Sequence, residues 1–517
     1  MAWRRHLLVA IALLATLGLV VGKVRVREPL MRRVLYDEPN AHLKQLAKIS
    51  DTEGSLARTF FSPAHRRAAQ QLIRWMQDCG METWADAVGN VHGRIRSARD
   101  GAQELLLGSH YDTVLDGGAY DGALGILVGL AAVKGMLLTE LMQRDMLDRL
   151  QEQEGGEVVI SASLASSLMK QGAVHLVAFA DEEGVRFQST FLGSRAVAGT
   201  LLRHDMLAAK DHSGATLEQV LREEGGLADP RVAVAAAALN PALIAEYVEV
   251  HIEQGPVLES KGLPLGVVVG IAGQTRLWVH VNGTQGHAGT VPMAGRRDAL
   301  TAAAEIVLAI ESMCNKTQLE GGVRQPQDDS LVCTVGELRV WPGASNVIPG
   351  YAGLSVDLRS KNNTQRHELV RNVSAAVKKV CKRRGVKCGV ERKHDAESVM
   401  SDPGVIEGMS VAAAAAEPML MAALTDSEAA GVLKGLRSLP KLVSGAGHDA
   451  MAIAETIPRM GMMFVRCRGG VSHSPLEHVE PVDVAASSAA LSAYLWGRLV
   501  GGMLGSSAPD PRVRGEL

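Results

Sequence analysis

Leu105-Leu106-Leu107-Gly108-Ser109-His110-Tyr111-Asp112 is the stretch from which the fold can be read. Three leucines in a row, breaking into small and polar residues, predict a short strand buried on both faces. The same pattern recurs twice. Val174-His175-Leu176-Val177-Ala178-Phe179 runs into Asp181-Glu182-Glu183, and residues 248–252 run into His251 to Gln254. Between the first two strands, residues 122–138 are Gly/Ala/Leu-rich and read as a buried helix. Upstream, Ser62-Pro63 opens a helix that Gly80 closes, with Ala64, Ala68, Leu72, Ile73 and Met76 on its apolar face. Strands alternating with helices predict an α/β domain, and polar residues at strand ends predict a ligand crevice there.

From about residue 273 the character changes. Leu277-Trp278-Val279-His280-Val281 alternates like a half-exposed strand. Helical residues 298–313, strands near 331–338 and 353–358, and helical residues 365–382 follow. That order predicts a separate α+β domain inserted in the first. The expected divisions are residues 40–272 and 394–499 for the first domain, 273–393 for the insertion and 500–517 for a tail. Residues 140–169 and 412–439, weakly patterned and rich in Ala, Gly or Met, read as loops or surface helices without chemistry.

Residues 1–22 read as a signal peptide or an uncleaved membrane anchor: Arg4 and Arg5 precede an uncharged apolar run from Leu7 to Gly22. Either sends the body into the secretory pathway, with the endoplasmic reticulum the expected location and membrane association only if the segment stays attached. The Arg514-Gly515-Glu516-Leu517 ending is a poor relative of a retrieval signal. Sequons start at Asn282, Asn315, Asn362 and Asn372. Six dispersed cysteines without a C-x-x-C pair exclude a zinc finger and a disulfide scaffold; buried free thiols, with room for one bridge, are the expectation. The 54 basic and 56 acidic residues nearly cancel, and aromatics make up 3%, so nothing attracts nucleic acid and no partner of that kind is expected.

Five groups carry the chemistry. In His110-Tyr111-Asp112 the carboxylate can hold the second N–H of a ligating imidazole. Asp121 lies in the glycine-flanked turn Gly118-Ala119-Tyr120-Asp121-Gly122, Asp181-Glu182-Glu183 supplies adjacent carboxylates, His251 begins His251-Ile252-Glu253-Gln254-Gly255, and His473 lies in Gly470-Val471-Ser472-His473-Ser474. Each alone is a weak signal, but together, with three directly after apolar strands, they predict a binuclear metal site. Histidine and carboxylate ligands without cysteine suit Mn²⁺, Zn²⁺, Co²⁺ or Ni²⁺.

These blocks, with DEEGVRF at 181–187, EVHIEQGPVL at 249–258 and GHAGTVPM at 286–293, resemble the amidohydrolase branch of the M20 metallopeptidase family. FQSTFLGS at 187–194, GIAGQTRL at 270–277, SLVCTVG at 330–336, ERKHDAESVMSD at 391–402 and SGAGHDAM at 444–451 are most similar to the plant-type allantoate deiminases of that branch. The resemblance covers about residues 40 to 500. It implies a catalytic domain with a central mixed sheet carrying an inserted α+β lid and dimerisation domain. It implies two divalent metals, Mn²⁺ foremost, one held by His110, Asp121 and His251 and the other by Asp121, Glu183 and His473, with Asp121 bridging. Glu182 would be the general base, supported by Asp112, and His287 would donate to the developing oxyanion. Gln254, His287, Asn346 and Arg359 would contact substrate, and His448 would lie near it. His251 itself points to the amidohydrolase branch, since many peptidases of the family have an acidic ligand there. The implied reaction hydrolyses the ureide of allantoate to a ureidoglycine-type product, ammonia and carbon dioxide. The alternative is an N-carbamoyl-L-amino-acid or ureidoglycolate amidohydrolase; a non-enzymatic metal-binding protein is the reading from another class. The implied assembly is a homodimer through the inserted domain, with His287 reaching the partner's site.

Overall fold

The Pro63–Asp78 helix shows how closely the local signals are obeyed. The Ser62 hydroxyl accepts the His65 N–H at 3.2 Å, Pro63 sits in the first turn, and Gly80 follows with φ +75°. Ala64, His65, Ala68, Leu72, Trp75 and Met76 form its buried face. This computed structural model describes residues 28–152, 157–315, 318–320, 323–325 and 331–501. The expected targeting segment 1–22 and the tail beyond residue 501, with its Arg514–Leu517 ending, lie outside them.

The chain forms two compact units. One comprises the described residues up to Val269, Ser401–Leu442, and those from His448 onward; the other is Gly270–Met400 with Val443–Gly447. The boundary expected at 393 falls inside the Lys387–Ala396 strand, whose pairing with Gly273–Asn282 holds it in the second unit.

In the first unit the strands lie in the order Glu82–Ala85, Val91–Ile95, Ala173–Phe179, Glu104–His110, Ile244–Ile252, Met460–Val465, Leu265–Ile271. The four from Ala173–Phe179 to Met460–Val465 run parallel and the outer ones antiparallel, so the sheet is mixed. The central strands are buried along nearly their whole length, as uninterrupted apolar runs require. Their register aligns His110 with Phe179 and Phe464 with His251, so the C-terminal ends of the parallel strands fall level.

The Ala123–Gln143 helix crosses this sheet and packs on the Pro481–Leu499 helix. It extends five residues past the expected end at 138. It is long and apolar enough to cross a membrane, yet it is buried inside the first unit, where Lys134 pairs with Glu38 at 2.7 Å.

The stretches expected to be loops or surface helices are corrected. The Ala162–Leu168 helix buries Leu164, Ala165 and Leu168. Residues 403–436 form three helices, Pro403–Ala415, Glu417–Ala423 and Asp426–Leu436, whose alanines, methionines and leucines join the main core. Small side chains weaken any helical stripe in the sequence, yet they are what lets helices approach each other closely.

The second unit is antiparallel. Tyr351–Ser360 pairs with Gly273–Asn282, which pairs with Lys387–Ala396; Val332–Thr334 and Leu338–Trp341 lie on the far side of Tyr351–Ser360. Two helices, Ala299–Cys314 and Asn363–Arg384, share a core with the sheet's apolar face, built on Leu277, Val279, Val281, Leu354, Val356 and Leu358. Here the cysteine expectation is also corrected: Cys314 bonds Cys333 and Cys381 bonds Cys388, leaving Cys79 and Cys467 free and buried. Each bridge joins a helix to a neighbouring strand segment, a proximity that spacing in sequence does not reveal.

Candidate functional site

His110 is the last residue of its strand, Asp181 to Glu183 follow Phe179, and His251 is next to last in its own strand. Level strand ends therefore bring these residues together at one edge of the sheet. Gly122, at φ +64°, opens the way for Asp121: a Cβ there would strike the His110 ring.

Asp112 is the hub. Its two carboxylate oxygens accept the backbone N–H groups of Glu182 (3.0 Å) and Glu183 (3.2 Å), and one lies 3.4 Å from His110 Nδ1. His110 Nδ1 also faces the Asp112 carbonyl at 3.2 Å, and His251 Nδ1 faces the Ile252 carbonyl at 3.0 Å. With each Nδ1 turned to a carbonyl oxygen, each Nε2 is left to face the other side. The two Nε2 atoms face each other at 3.4 Å, and Asp121 Oδ1 lies 3.6 Å from one and 3.2 Å from the other. Two ring nitrogens and a carboxylate oxygen converging in a buried place could hold a cation.

Asp121 Oδ2 lies 3.2 Å from His473 Nε2, which is 3.3 Å from Glu183 Oε1. His110, Asp121 and His251 thus form one candidate ligand group and Asp121, Glu183 and His473 a second, with Asp121 in both. Glu182 joins a further grouping with His110 and Glu183, its Oε2 4.0 Å from His110 Nε2. Glu249, His251 and His448 also cluster, but Glu249 accepts hydrogen bonds from Tyr247 (3.0 Å) and the Ala450 N–H (2.9 Å).

The electrostatics follow from burial. Burial would raise Asp121, but the three imidazoles around it hold it well below the ordinary carboxylate range. Burial lifts Glu182 well above that range, and burial with Asp121 beside it lifts Glu183 to about 7. Two neighbouring carboxyls that resist ionisation are groups for which divalent cations would supply the missing charge.

Other expected residues fall in two places. Gln254 adopts φ +54° and donates to Asp121 Oδ2 and Ser472 Oγ, both at 3.0 Å, so its amide steadies the shared carboxylate. His448 is buried with its ring 4.5 Å from that of His251, beneath the ligand rather than open to a substrate. In the second unit, His287 pairs with Val347 in a short ladder, and the Ala288 N–H donates to the Asn346 carbonyl at 2.8 Å, which sets His287 and Asn346 side by side and exposed. His287 Nδ1 accepts the Gly289 N–H at 3.1 Å, which leaves its Nε2–H as the free donor. Arg359 is held side-on by Asp357, through Nε at 2.9 Å and Nη2 at 3.1 Å, and its Nη1 donates to the Gly445 carbonyl at 2.6 Å. Nη1 and Nη2 each carry a second N–H that these bonds do not use.

Sequence reasoning missed Glu477. Its Oε1 accepts the N–H groups of Tyr120 (2.7 Å) and Asp121 (3.0 Å), and its Oε2 accepts the Ser472 hydroxyl at 3.0 Å. Gly118 makes room for it, since a Cβ there would collide with the carboxylate. Its only signal was an acid four residues after His473.

The fold and this ligand set define a metallohydrolase of the M20 class. The profile of peptidase family M20/M25/M40 matches residues 155–497, and the chain belongs to that family. It is 43% identical over 489 residues to an allantoate deiminase of Arabidopsis thaliana, covering 93% of this chain and 86% of the relative. It is 46% identical over 473 residues to a probable allantoate deiminase of Oryza sativa subsp. japonica, covering 90% and 89%. The crystal structure of AtUAH in complex with (S)-hydroxyglycine superposes with a TM-score of 0.68 at 27% identity, covering 93% of this chain and 99% of that one.

Proposed function

We propose that the protein hydrolyses the ureide of allantoate, releasing a ureidoglycine-type product, ammonia and carbon dioxide. The observation that carries the reading is Asp121, shared between two candidate ligand groups, with Glu182 beside them, its Oε2 4.0 Å from His110 Nε2. The allantoate deiminases among its relatives support the substrate.

A ureide carbon is a poor electrophile because two nitrogens donate into its carbonyl. Two divalent ions at the Asp121 groups, Mn²⁺ foremost, would polarise that carbonyl, activate water at neutral pH and bring the neighbouring carboxyl pKa values back down. Glu182 then takes the water's proton and returns it to the leaving nitrogen. Asp112, fixed on the Glu182 and Glu183 N–H groups, keeps both carboxylates aimed. His287 donates its Nε2–H to the oxygen on which charge develops. Arg359, gripped side-on by Asp357, takes the substrate carboxylate end-on.

The chain is proposed to work as a two-fold dimer through the second unit. Support comes from exposed Leu308, Val332, Leu338 and Trp341, each at least 45% accessible on that unit. Secretory localisation, with the endoplasmic reticulum as its place, draws support from two disulfides, which persist in oxidising compartments.

The test is ammonia release by purified, Mn²⁺-loaded protein from allantoate, ureidoglycolate and an N-carbamoyl-L-amino acid. Allantoate is expected to give the highest kcat/KM. A higher value for either of the others would transfer the assignment to that substrate.

A further inference from the structure

Gln274 and Arg276 stand two apart on the Gly273–Asn282 strand, opposite Arg359 and Asp357 of the adjacent strand. Thr275, Leu277, Leu358 and Val356 alternate with them and point into the core, so all four polar side chains share the other face. They converge on one carboxylate. Asp357 accepts Gln274 Nε2 at 2.7 Å and Arg276 Nε at 3.4 Å in addition to the two bonds from Arg359. Burial would raise Asp357, yet Arg359, Gln274 and Arg276 together hold it below the ordinary carboxylate range.

Two guanidinium charges around one carboxylate leave an excess of one positive charge. On the function proposed above, the substrate carboxylate at Arg359 cancels it. Arg276 then has no further anion to meet but still offers its terminal N–H donors, which meet no acceptor among the described residues. Its side chain is 54% accessible. Gln274 can reach Asp357 only through its nitrogen, because a carboxylate accepts and does not donate. Its carbonyl oxygen is therefore turned away from Asp357 and meets no donor among the described residues. A free acceptor and a set of free donors lie side by side next to the carboxylate clamp.

That arrangement is complementary to a planar urea group, whose C=O accepts and whose N–H groups donate. Allantoate carries two ureides on the carbon that bears its carboxylate; only one is cut. We propose that Gln274 and Arg276 form a subsite for the second, uncleaved ureide: Gln274 Oε1 accepts its N–H and Arg276 donates to its carbonyl. The pair then selects a bis-ureide over single-ureide acids, whose binding leaves both groups to water. This rests on the allantoate reading.

The experiment compares allantoate with N-carbamoylglycine, which has the carboxylate and one ureide. For each, kcat/KM is measured for wild type, Arg276→Met and Arg359→Lys, with Ki against allantoate replacing kcat/KM if N-carbamoylglycine is not turned over. Arg276→Met keeps the aliphatic stem on an exposed strand face. It is expected to lower kcat/KM for allantoate by about 10- to 100-fold, the worth of a charge-assisted hydrogen bond, and to change N-carbamoylglycine less than about threefold. Arg359→Lys is expected to impair both. If Arg276→Met melts lower than wild type, Gln274→Met is read in the same way. Equal losses on both compounds, or none on allantoate, would overturn the subsite. Failure of the wild type to hydrolyse allantoate would instead overturn the function on which it rests, so the two failures are distinct.

Discussion

Glu182 and Glu183 are neighbours in sequence with different work. Glu183 lies with Asp121 and His473, whereas Glu182 Oε2 is 4.0 Å from His110 Nε2. Their alternation follows from the two N–H bonds to Asp112, which fix the backbone and so send successive side chains to different places. Glu182→Gln removes the proton acceptor but leaves all five residues of the Asp121 groups. It is expected to retain its metal by elemental analysis after gel filtration while turnover falls by roughly 10²–10⁴. Loss of metal in that variant would show that Glu182 is itself a ligand. Of the residues around Asp121, the five ligand candidates were legible because each sits in a polar cluster of its own. Glu477 and Ser472 were not, since a carboxylate that binds backbone N–H groups some 350 residues away has no local pattern.

At the scale of elements, strand ends set the site and helices hold them in place. The Pro63–Asp78 helix presents His65 to the site-bearing strands: its Nε2 donates to the Ala180 carbonyl at 2.7 Å, and its ring stacks on Tyr111 at 4.3 Å. Burial lowers the His65 pKa to about 4. The neutral ring is therefore favoured in the fold, and between pH 6.5 and 4 the unfolded chain binds more protons than the folded one. The contribution is present above the unfolded value of about 6.5 and is lost as pH falls towards 4. From pH 7 to pH 5 it amounts to roughly 2 kcal/mol. Urea unfolding of wild type and His65→Leu at the two pH values checks this. The variant should lose less stability on acidification by about that amount; parallel losses would mean that His65 takes up its proton alike in the folded and the unfolded chain.

At the scale of the whole molecule, the candidate ligands and Glu182 belong to the first unit, and His287, Asn346 and Arg359 to the second. A dimer in which His287 serves the partner's site has a direct test. Glu182→Ala and His287→Ala, each inactive alone, are co-expressed. Random two-fold pairing makes about half of the dimers mixed, and each mixed dimer then holds one site with Glu182 intact and a partner His287 intact. Roughly a quarter of wild-type activity is expected. Activity no higher than that of either parent, with mixed dimers present, would rule out sharing.

What the sequence alone determined is local. Runs of apolar residues placed the central strands, and capping at Ser62 and Gly80 bounded a helix. Motifs beside strand ends named His110, Asp112, Asp121, Glu182, Glu183, His251 and His473, because strand propensity, burial and ligand chemistry are all written in short windows. The tertiary structure decided which of these meet. Tertiary packing made Asp121 common to two groups, turned Gln254 onto Asp121 and put His448 beside His251. It also drew Cys314 to Cys333 and Cys381 to Cys388, brought Gln274 and Arg276 onto Asp357, and took the Ala- and Met-rich helices into the core. Each of these depends on distances across separate elements, set by sheet register and helix packing, which no window of sequence contains.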